Sequence, residues 1–336
     1  MSEAPLRVGV VGINERIRRV IIRGLVASPR ARVTAVCSRS PEKARETAAA
    51  IGAEPLTDYA AMLRSGSVDA VFIATPPALH RPMALAAAAA GCHIICEKPL
   101  ALTLAEAQEM LQAARAAGVR TAVNFTYRSL GGHRFFAELL AGGLIGQLHD
   151  FSLGFWQGRW LLQPSGVDAA MEVGVHLVDL LLWWSELVAA GPVEAVCAWE
   201  TALDPTAPRP IWHCLVRLAG GASGVLHCDR AAAGWRNGMT VRFYGRAGGL
   251  ALDFDTDRVV VQRAVPGGQW QPLDLPARLA LGYEEFPAYH LDRLVRAIRG
   301  EEAFPDFAVA VRGQAVLEAA ALSAREGRWV PVPAVG

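Results

Sequence analysis

Cysteine is scarce and poorly placed for bridging. The six cysteines, Cys37, Cys92, Cys96, Cys197, Cys214 and Cys228, show no CxxC spacing and mostly fall inside strand-like runs. That pattern argues for reduced, buried thiols and against disulfide or metal roles, so no metal is expected. Long apolar runs are missing too: 52% of residues are hydrophobic, yet no uninterrupted run approaches the roughly 20 residues a membrane span needs. Excess charge of either sign is also absent. With a net charge of +1 and scattered arginines, nothing draws the chain toward nucleic acid or anionic lipid, and a small-molecule partner is expected. Between Met1 and the first strand at Leu6 there is no room for the basic and apolar regions of a signal peptide, which points to the cytoplasm. Internal repeats, low-complexity linkers and long charged runs are absent.

What is present comes in two styles. A length of 336 residues exceeds the roughly 100 to 200 of one compact core, so two domains are expected, residues 1–124 and 125–336. The first alternates β-branched runs with Ala-rich helical stretches, as a parallel sheet with crossover helices does. Its strands are expected at Arg7 to Val11, Val33 to Cys37, Ala70 to Ala74, His93 to Cys96 and Thr121 to Asn124. Thr103-Leu104-Ala105-Glu106 reads as a capping box that starts a helix. Beyond Asn124, helices are expected around His133 to Leu140 and Met171 to Trp184, followed by alternating strands with Gly-rich turns. Ala219-Gly220-Gly221-Ala222 reads as the turn of a hairpin, and meander connections imply a mostly antiparallel sheet. Helices near Glu284 to Ile298 and Asp306 to Arg325 close the chain. The expected fold class is therefore α/β, with a Rossmann-type parallel sheet followed by an α+β domain built on a large, open, mostly antiparallel sheet.

The first strand runs into Gly12-Ile13-Asn14-Glu15-Arg16-Ile17, where a dinucleotide fold places its glycine-rich turn. Only the first of three usual glycines is there. Asn14 tolerates a left-handed backbone but brings a side chain toward a pyrophosphate, and Ile17 should hold the helix away from the strand. Glu15 adds a negative charge at an anion-binding helix start, which Arg16, Arg18 and Arg19 can offset. The second strand ends in Ser38-Arg39-Ser40 with no acidic partner for the ribose hydroxyls, a combination suited to the extra phosphate of NADP.

Four further motifs carry a resemblance. Gly91-Cys92-His93-Ile94-Ile95-Cys96-Glu97-Lys98-Pro99-Leu100 is similar to the Glu-Lys-Pro signature of the Gfo/Idh/MocA oxidoreductases. Ala74-Thr75-Pro76-Pro77-Ala78-Leu79-His80 resembles their third-strand loop, which borders the nicotinamide ribose. Glu172-Val173-Gly174-Val175-His176-Leu177-Val178-Asp179 resembles their Asp-x-Gly-x-His-x-x-Asp helix, which in relatives faces the lysine. The segment Ser323 to Val330 matches their C-terminal pattern. The resemblance covers essentially the whole chain and implies NADP or NAD as cofactor, bound by Gly12, Ile13, Asn14, Ser38, Arg39, Thr75, Pro76, His80, Glu97 and Lys98.

Removing hydride from a carbinol carbon also requires removing the hydroxyl proton, which a simple alcohol does not release unaided. Lys98 can hold the oxygen and His176, whose intrinsic pKa lies near neutrality, can take the proton. Glu172, in place of the family's Asp, is a third candidate of this network. Tyr127, Arg128, Trp156, Arg159, Asp179 and Tyr283 are candidates for the substrate, since indole faces pack on sugar rings and guanidinium groups bind hydroxyls or carboxylates. The expected activity is hydride transfer between NAD(P) and a cyclic polyol, sugar or related hydroxy or keto compound. Departures at Asn14, Ile17, Glu172, Gly131 and Gly166-Val167-Asp168-Ala169 leave two alternatives open. One is a redox-neutral lyase or glycosidase that oxidises transiently; the other is a catalytically silent nucleotide-binding homologue. The C-terminal sheet is the expected surface for a homodimer or homotetramer.

Overall fold

A computed structural model describes residues 4–162, 166–256, 258–282 and 284–335, which leaves Tyr283 outside the described residues. In chain order the elements are β1 (Leu6–Val11), α1 (Arg23–Ala27), β2 (Ala31–Cys37), α2 (Pro41–Ile51), β3 (Glu54–Leu56), α3 (Tyr59–Arg64), β4 (Ala70–Ile73), α4 (His80–Ala89), β5 (His93–Cys96), α5 (Leu104–Ala116) and β6 (Thr121–Val123). Then follow α6 (Gly131–Ala141), β7 (Leu148–Trp156), α7 (Val175–Leu187), β8 (Val193–Thr201), β9 (Ile211–Leu218), β10 (Ser223–Asp229), β11 (Gly238–Gly245), β12 (Gly248–Asp255), β13 (Arg258–Ala264), β14 (Gln271–Leu273), α8 (Phe286–Arg299), α9 (Phe307–Glu326) and β15 (Val330–Pro331).

The chain divides into two units, residues 1–129 with 282–311, and 130–281 with 312–336. The division therefore falls five residues later than the expected 124/125 boundary, and the first unit reclaims a late segment. The reason is visible in α8. Its Leu291, Leu294, Val295 and Ile298 are fully buried in one cluster with Val8, Val10, Ile17, Leu25 and Phe72. Removing such side chains from water contributes roughly 1.5 to 3 kcal/mol each. Ile17, where a glycine is usual, thus fills the seam between the first helical segment and α8.

The sheet of the first unit is parallel, in the order β3-β2-β1-β4-β5-β6. Its sixth strand, β3, is not expected from the sequence. Three residues including Pro55 make a weak strand signal, and a proline is tolerated there because β3 is an edge. The α5 start is a capping box: Thr103 Oγ1 accepts from Glu106 N–H at 3.2 Å, and Glu106 Oε2 accepts from Leu102 N–H at 3.1 Å.

The second unit is built on a nine-stranded sheet, β14-β13-β12-β11-β7-β10-β9-β8-β15. Every pairing is antiparallel except β10 with β7. The expected hairpin is β9–β10. Alternation assigns the two faces. On one side Phe243 meets Phe136 of α6 and Trp184 of α7 with ring centroids 5.5 and 6.0 Å apart, and Phe151 lies beside it at 5.9 Å. The opposite face carries a row of rings, Trp199, His213, His227 and Trp156, with successive centroids at 5.0, 4.3 and 4.6 Å. By length and composition α9 is apolar enough to cross a membrane, but 61% of its apolar window is buried inside the protein, as in a core helix.

Candidate active site

In the first unit the expected cofactor residues gather at the carboxyl ends of the parallel strands, where open α/β sheets bind their ligands. The order of the strands reverses between β1 and β4, and Gly12 sits at that switch point with φ +91°, directly against Ala74 and Thr75. Ile13 is buried in the core of the first unit. Asn14 has a role that comparison with a glycine does not suggest: its Oδ1 accepts from Ile17 N–H at 3.0 Å, capping the helical segment that opens with a π-helical stretch, Ile17–Ile22. The side chain is thereby folded onto the helix. Glu15 is offset as expected, pairing with Arg18 at 2.8 Å and Arg19 at 2.5 Å.

At the end of β2, Ser38 is buried and its Oγ accepts from Ser40 N–H at 3.2 Å. Arg39 is exposed and forms no ion pair among the described residues. After β4, Thr75 is half-buried and Pro76 exposed. His80 corrects an expectation. Its side chain is fully buried, with Nε2 2.8 Å from the Thr75 carbonyl oxygen and Nδ1 3.0 and 3.2 Å from those of Pro99 and Leu100. Both ring nitrogens thus face backbone carbonyls, so the imidazole ties the loop after β4 to the loop after β5 and leaves no ring nitrogen for a direct contact with a dinucleotide.

At the end of β5, Glu97 is 6% exposed. Its Oε1 accepts from Arg16 Nη1 and from Asn124 Nδ2, each at 2.9 Å, and its Oε2 accepts from the Lys98 backbone N–H at 3.2 Å. Lys98 is half-buried next to it, and Tyr127 and Arg128 sit half-buried in the turn Thr126–Ser129 that follows β6.

In the second unit, a π-helical turn, Ala170–Gly174, leads into α7. Such turns recur at functional sites. Gly174 packs closely on β9: a Cβ there would lie 3.1 Å from the Trp212 ring, which would have to give by a few tenths of an ångström. His176 and Asp179 follow one turn apart on α7, 7% and 3% exposed. Glu172 is half-buried within the π-turn. A cation not singled out by any motif belongs with it. Arg230 is 4% exposed, its guanidinium pKa lowered by burial while the nearby Glu172 acts to raise it. Arg159 is exposed, and its turn is held to Arg230 by the Trp160 N–H, which donates to the Arg230 carbonyl at 3.0 Å. Arg230 directly follows β10, so a charged residue at the end of a core strand is the available signal. Trp156 is the second correction. It stands on the ring-lined face, its Nε1 donating to Thr240 Oγ1 at 3.2 Å, on the side of the sheet away from α7. The alternation that buries Phe151, Leu153 and Phe155 sends it there. Among the described residues no group of three or more His, Cys, Asp or Glu is arranged to hold a metal.

Residues 6–125 match the family model described as the oxidoreductase family, NAD-binding Rossmann fold, and residues 133–251 match the GFO/IDH/MocA C-terminal domain. The dTDP-3,4-didehydro-2,6-dideoxy-alpha-D-glucose 3-reductase of Streptomyces violaceoruber is 34% identical over 56% of this chain and 57% of its own length. The chain thus spans little more than half the length of such curated relatives. The levoglucosan dehydrogenase of Pseudarthrobacter phenanthrenivorans is 28% identical over 89% of both chains. Among solved structures, an NAD binding oxidoreductase from Klebsiella pneumoniae superposes with a TM-score of 0.88 at 27% identity, over 99% of this chain and 100% of its own. A levoglucosan dehydrogenase in complex with NADH and levoglucosan superposes at 0.85 and 25% identity, over 98% of this chain and 100% of its own.

Proposed function

Because this chain belongs to the Gfo/Idh/MocA family of oxidoreductases, we propose that it moves a hydride between a nicotinamide dinucleotide and a hydroxyl or keto carbon of a sugar or cyclic polyol. The observation that carries this reading is Lys98 at the end of β5, following a Glu97 held by Arg16 and Asn124. It shares the carboxyl edge of the parallel sheet with Gly12. The relatives named above are, by name, enzymes of sugars, which supports that substrate class.

The residues present suit a dinucleotide. Gly12 has the backbone conformation of the phosphate turn, Asn14 is folded out of the way onto the helix start, and Arg39 offers a guanidinium with no ion pair among the described residues. In this reading Arg39, with Ser38 and Ser40 beside it, selects NADP over NAD through the extra phosphate. When bound, the dinucleotide supplies the hydride acceptor or donor. The Lys98 ammonium holds the substrate oxygen and stabilises its developing charge. His176 takes the hydroxyl proton in oxidation and returns it in reduction. Glu172, Asp179, Arg159 and Arg230, and also Tyr127 and Arg128, are the residues assigned to the substrate in this reading.

The same reading has the protein act in the cytoplasm as a homo-oligomer. The ring-lined face of the large sheet supports self-association, since Trp199 and Leu215 are 45% and 38% exposed there and exposed apolar patches of this kind are usually covered.

The test is a panel of sugars, sugar nucleotides and polyols assayed with NADP and NAD, following nicotinamide absorbance and product together. Turnover with an absorbance change supports the reading. Product without an absorbance change would mean redox-neutral chemistry, and absence of turnover across the panel, with or without dinucleotide binding, would mean a silent homologue.

A further inference from the structure

Resting on that reading, we propose that His290 is a positioning residue of the Lys98 centre. As a neutral ring protonated only on Nε2, it fixes the amide of Asn124, which fixes Glu97 and through it the backbone of Lys98. His290 lies on α8, far along the chain from β5 and β6, yet in the same unit.

The hydrogen bonds leave one consistent arrangement. Asn124 gives an Nδ2 hydrogen to Glu97 Oε1 at 2.9 Å, so its Oδ1 must accept from whatever faces it. His290 Nε2 faces it at 2.6 Å and therefore donates. On the other side of the ring, Ser129 Oγ lies 2.8 Å from Nδ1 and itself accepts from Arg293 Nη1 at 3.2 Å. An oxygen already accepting from a guanidinium has its own hydrogen free to donate, and Nδ1 is the atom within reach. Nδ1 then carries no hydrogen. The far end is anchored as well: Arg293 donates to Glu302 at 2.6 Å and to the Arg128 carbonyl at 2.8 Å. Every donor in the series Arg293, Ser129, His290, Asn124 points toward Glu97, where Arg16 closes the approach from the helix after β1. His290 is 1% exposed, and burial together with Arg293 and Arg16 pushes its pKa down to about 3, consistent with a ring that stays neutral.

A space-filling role would look different. The ring stacks on Phe286 with centroids 5.8 Å apart and planes 5° from parallel, which a phenyl ring would reproduce. His290→Phe thus keeps the packing and removes the donor. His290→Gln keeps a donor for Asn124 and an acceptor for Ser129.

The full-length protein labelled with 15N-histidine tests the tautomer directly, the signal being assigned by its loss in His290→Phe. Across about pH 5 to about pH 8, the His290 ring should keep a pyrrole-type Nε2 and a pyridine-type Nδ1. Protonation on Nδ1, or titration within that range, overturns the proposal. In His290→Phe the Lys98 backbone amide signal should shift, and kcat should fall about tenfold or more at nearly unchanged KM, as slight misplacement of a reacting group does. His290→Gln should restore the amide signal and bring kcat within about threefold of wild type. An unmoved Lys98 amide in the Phe variant, or no recovery with Gln, overturns the relay. Should the Phe variant not fold, His290→Met takes its place with the same readouts. If no sugar in the panel is turned over, the functional reading fails, while the tautomer and the Lys98 amide still decide the relay.

Discussion

A Cβ on Gly12 would lie 2.6 Å from the carbonyl oxygen of Ala74, so the turn after β1 and the end of β4 meet through backbone alone. Gly12 also has φ +91°, which L side chains rarely adopt. Gly12→Ala should therefore cost about 1 to 3 kcal/mol in backbone strain, before any clash is relieved. A lowered denaturant midpoint together with weakened dinucleotide binding is expected; unchanged values for both would mean the turn is looser than its geometry.

The cap formed by Asn14 separates stability from cofactor grip. Asn14→Ala should destabilise the protein by about 1 kcal/mol, and Asn14→Gly by only a few tenths, because glycine is itself tolerated at a helix N-cap. Urea unfolding of the two variants measures the difference. Equal losses would show that the bond to Ile17 N–H contributes nothing specific.

Arg39 should discriminate between cofactors. Arg39→Ala is expected to weaken NADP(H) binding by about tenfold or more, the scale of a charge-assisted hydrogen bond, while leaving NAD(H) nearly unchanged. Titrations with all four dinucleotides read the ratio, and wild-type protein that prefers NAD(H) would refute the NADP assignment.

Lys98→Met and His176→Asn should each lower turnover by about a hundredfold or more, with fold and dinucleotide affinity kept. The double variant should lose far less than the product of the two, since groups serving one transition state are not additive. Near-normal rates in both single variants would move the chemistry elsewhere, with Glu172 and Arg230 the next candidates.

Acid should destabilise both units over one window. Burial pushes the His133 imidazole down to about 3, and His290 lies at about 3 as well, whereas an ordinary histidine titrates near 6.5. The unfolded chain thus binds more protons than the folded one between these values. Stability is complete above about pH 6.5 and is lost as pH falls, by about 1.4 kcal/mol per pH unit for each histidine. His133 belongs to the second unit and His290 to the first. Denaturant midpoints recorded from about pH 8 down to about pH 4.5 should be flat and then fall, and no fall would mean that neither ring is held neutral in the folded protein.

Much of the fold is legible in the sequence because the chemistry involved is local. β-branched runs mark β1, β2, β4, β5 and β6 because each strand is buried on both faces, and Thr103 with Glu106 marks a helix start because capping is a short-range event. The outward side of Trp156 is local information too, since the alternation through Phe151, Leu153 and Phe155 extends one residue further to reach it. Asn14 looks like a lost glycine beside the dinucleotide motif, yet its spacing to Ile17 is that of an N-cap. What cannot be read is long-range. Nothing near Asn124 announces that His290, 166 positions later, will orient its amide, and Arg230 comes near Glu172 because the π-helical turn that carries Glu172 packs against β10, a contact between segments distant in sequence.

The reclaimed segment 282–311 bears on how the protein is made. Domains generally fold as units in the order they leave the ribosome. Here the parallel sheet emerges first, but the residues that seal its core, Leu291, Leu294, Val295 and Ile298, emerge after nearly the whole large sheet. The half of the chain synthesised first is thus completed late, after all of the large sheet but β15, and until α8 arrives Ile17, Ile21 and Leu25 lack the apolar surface they pack against.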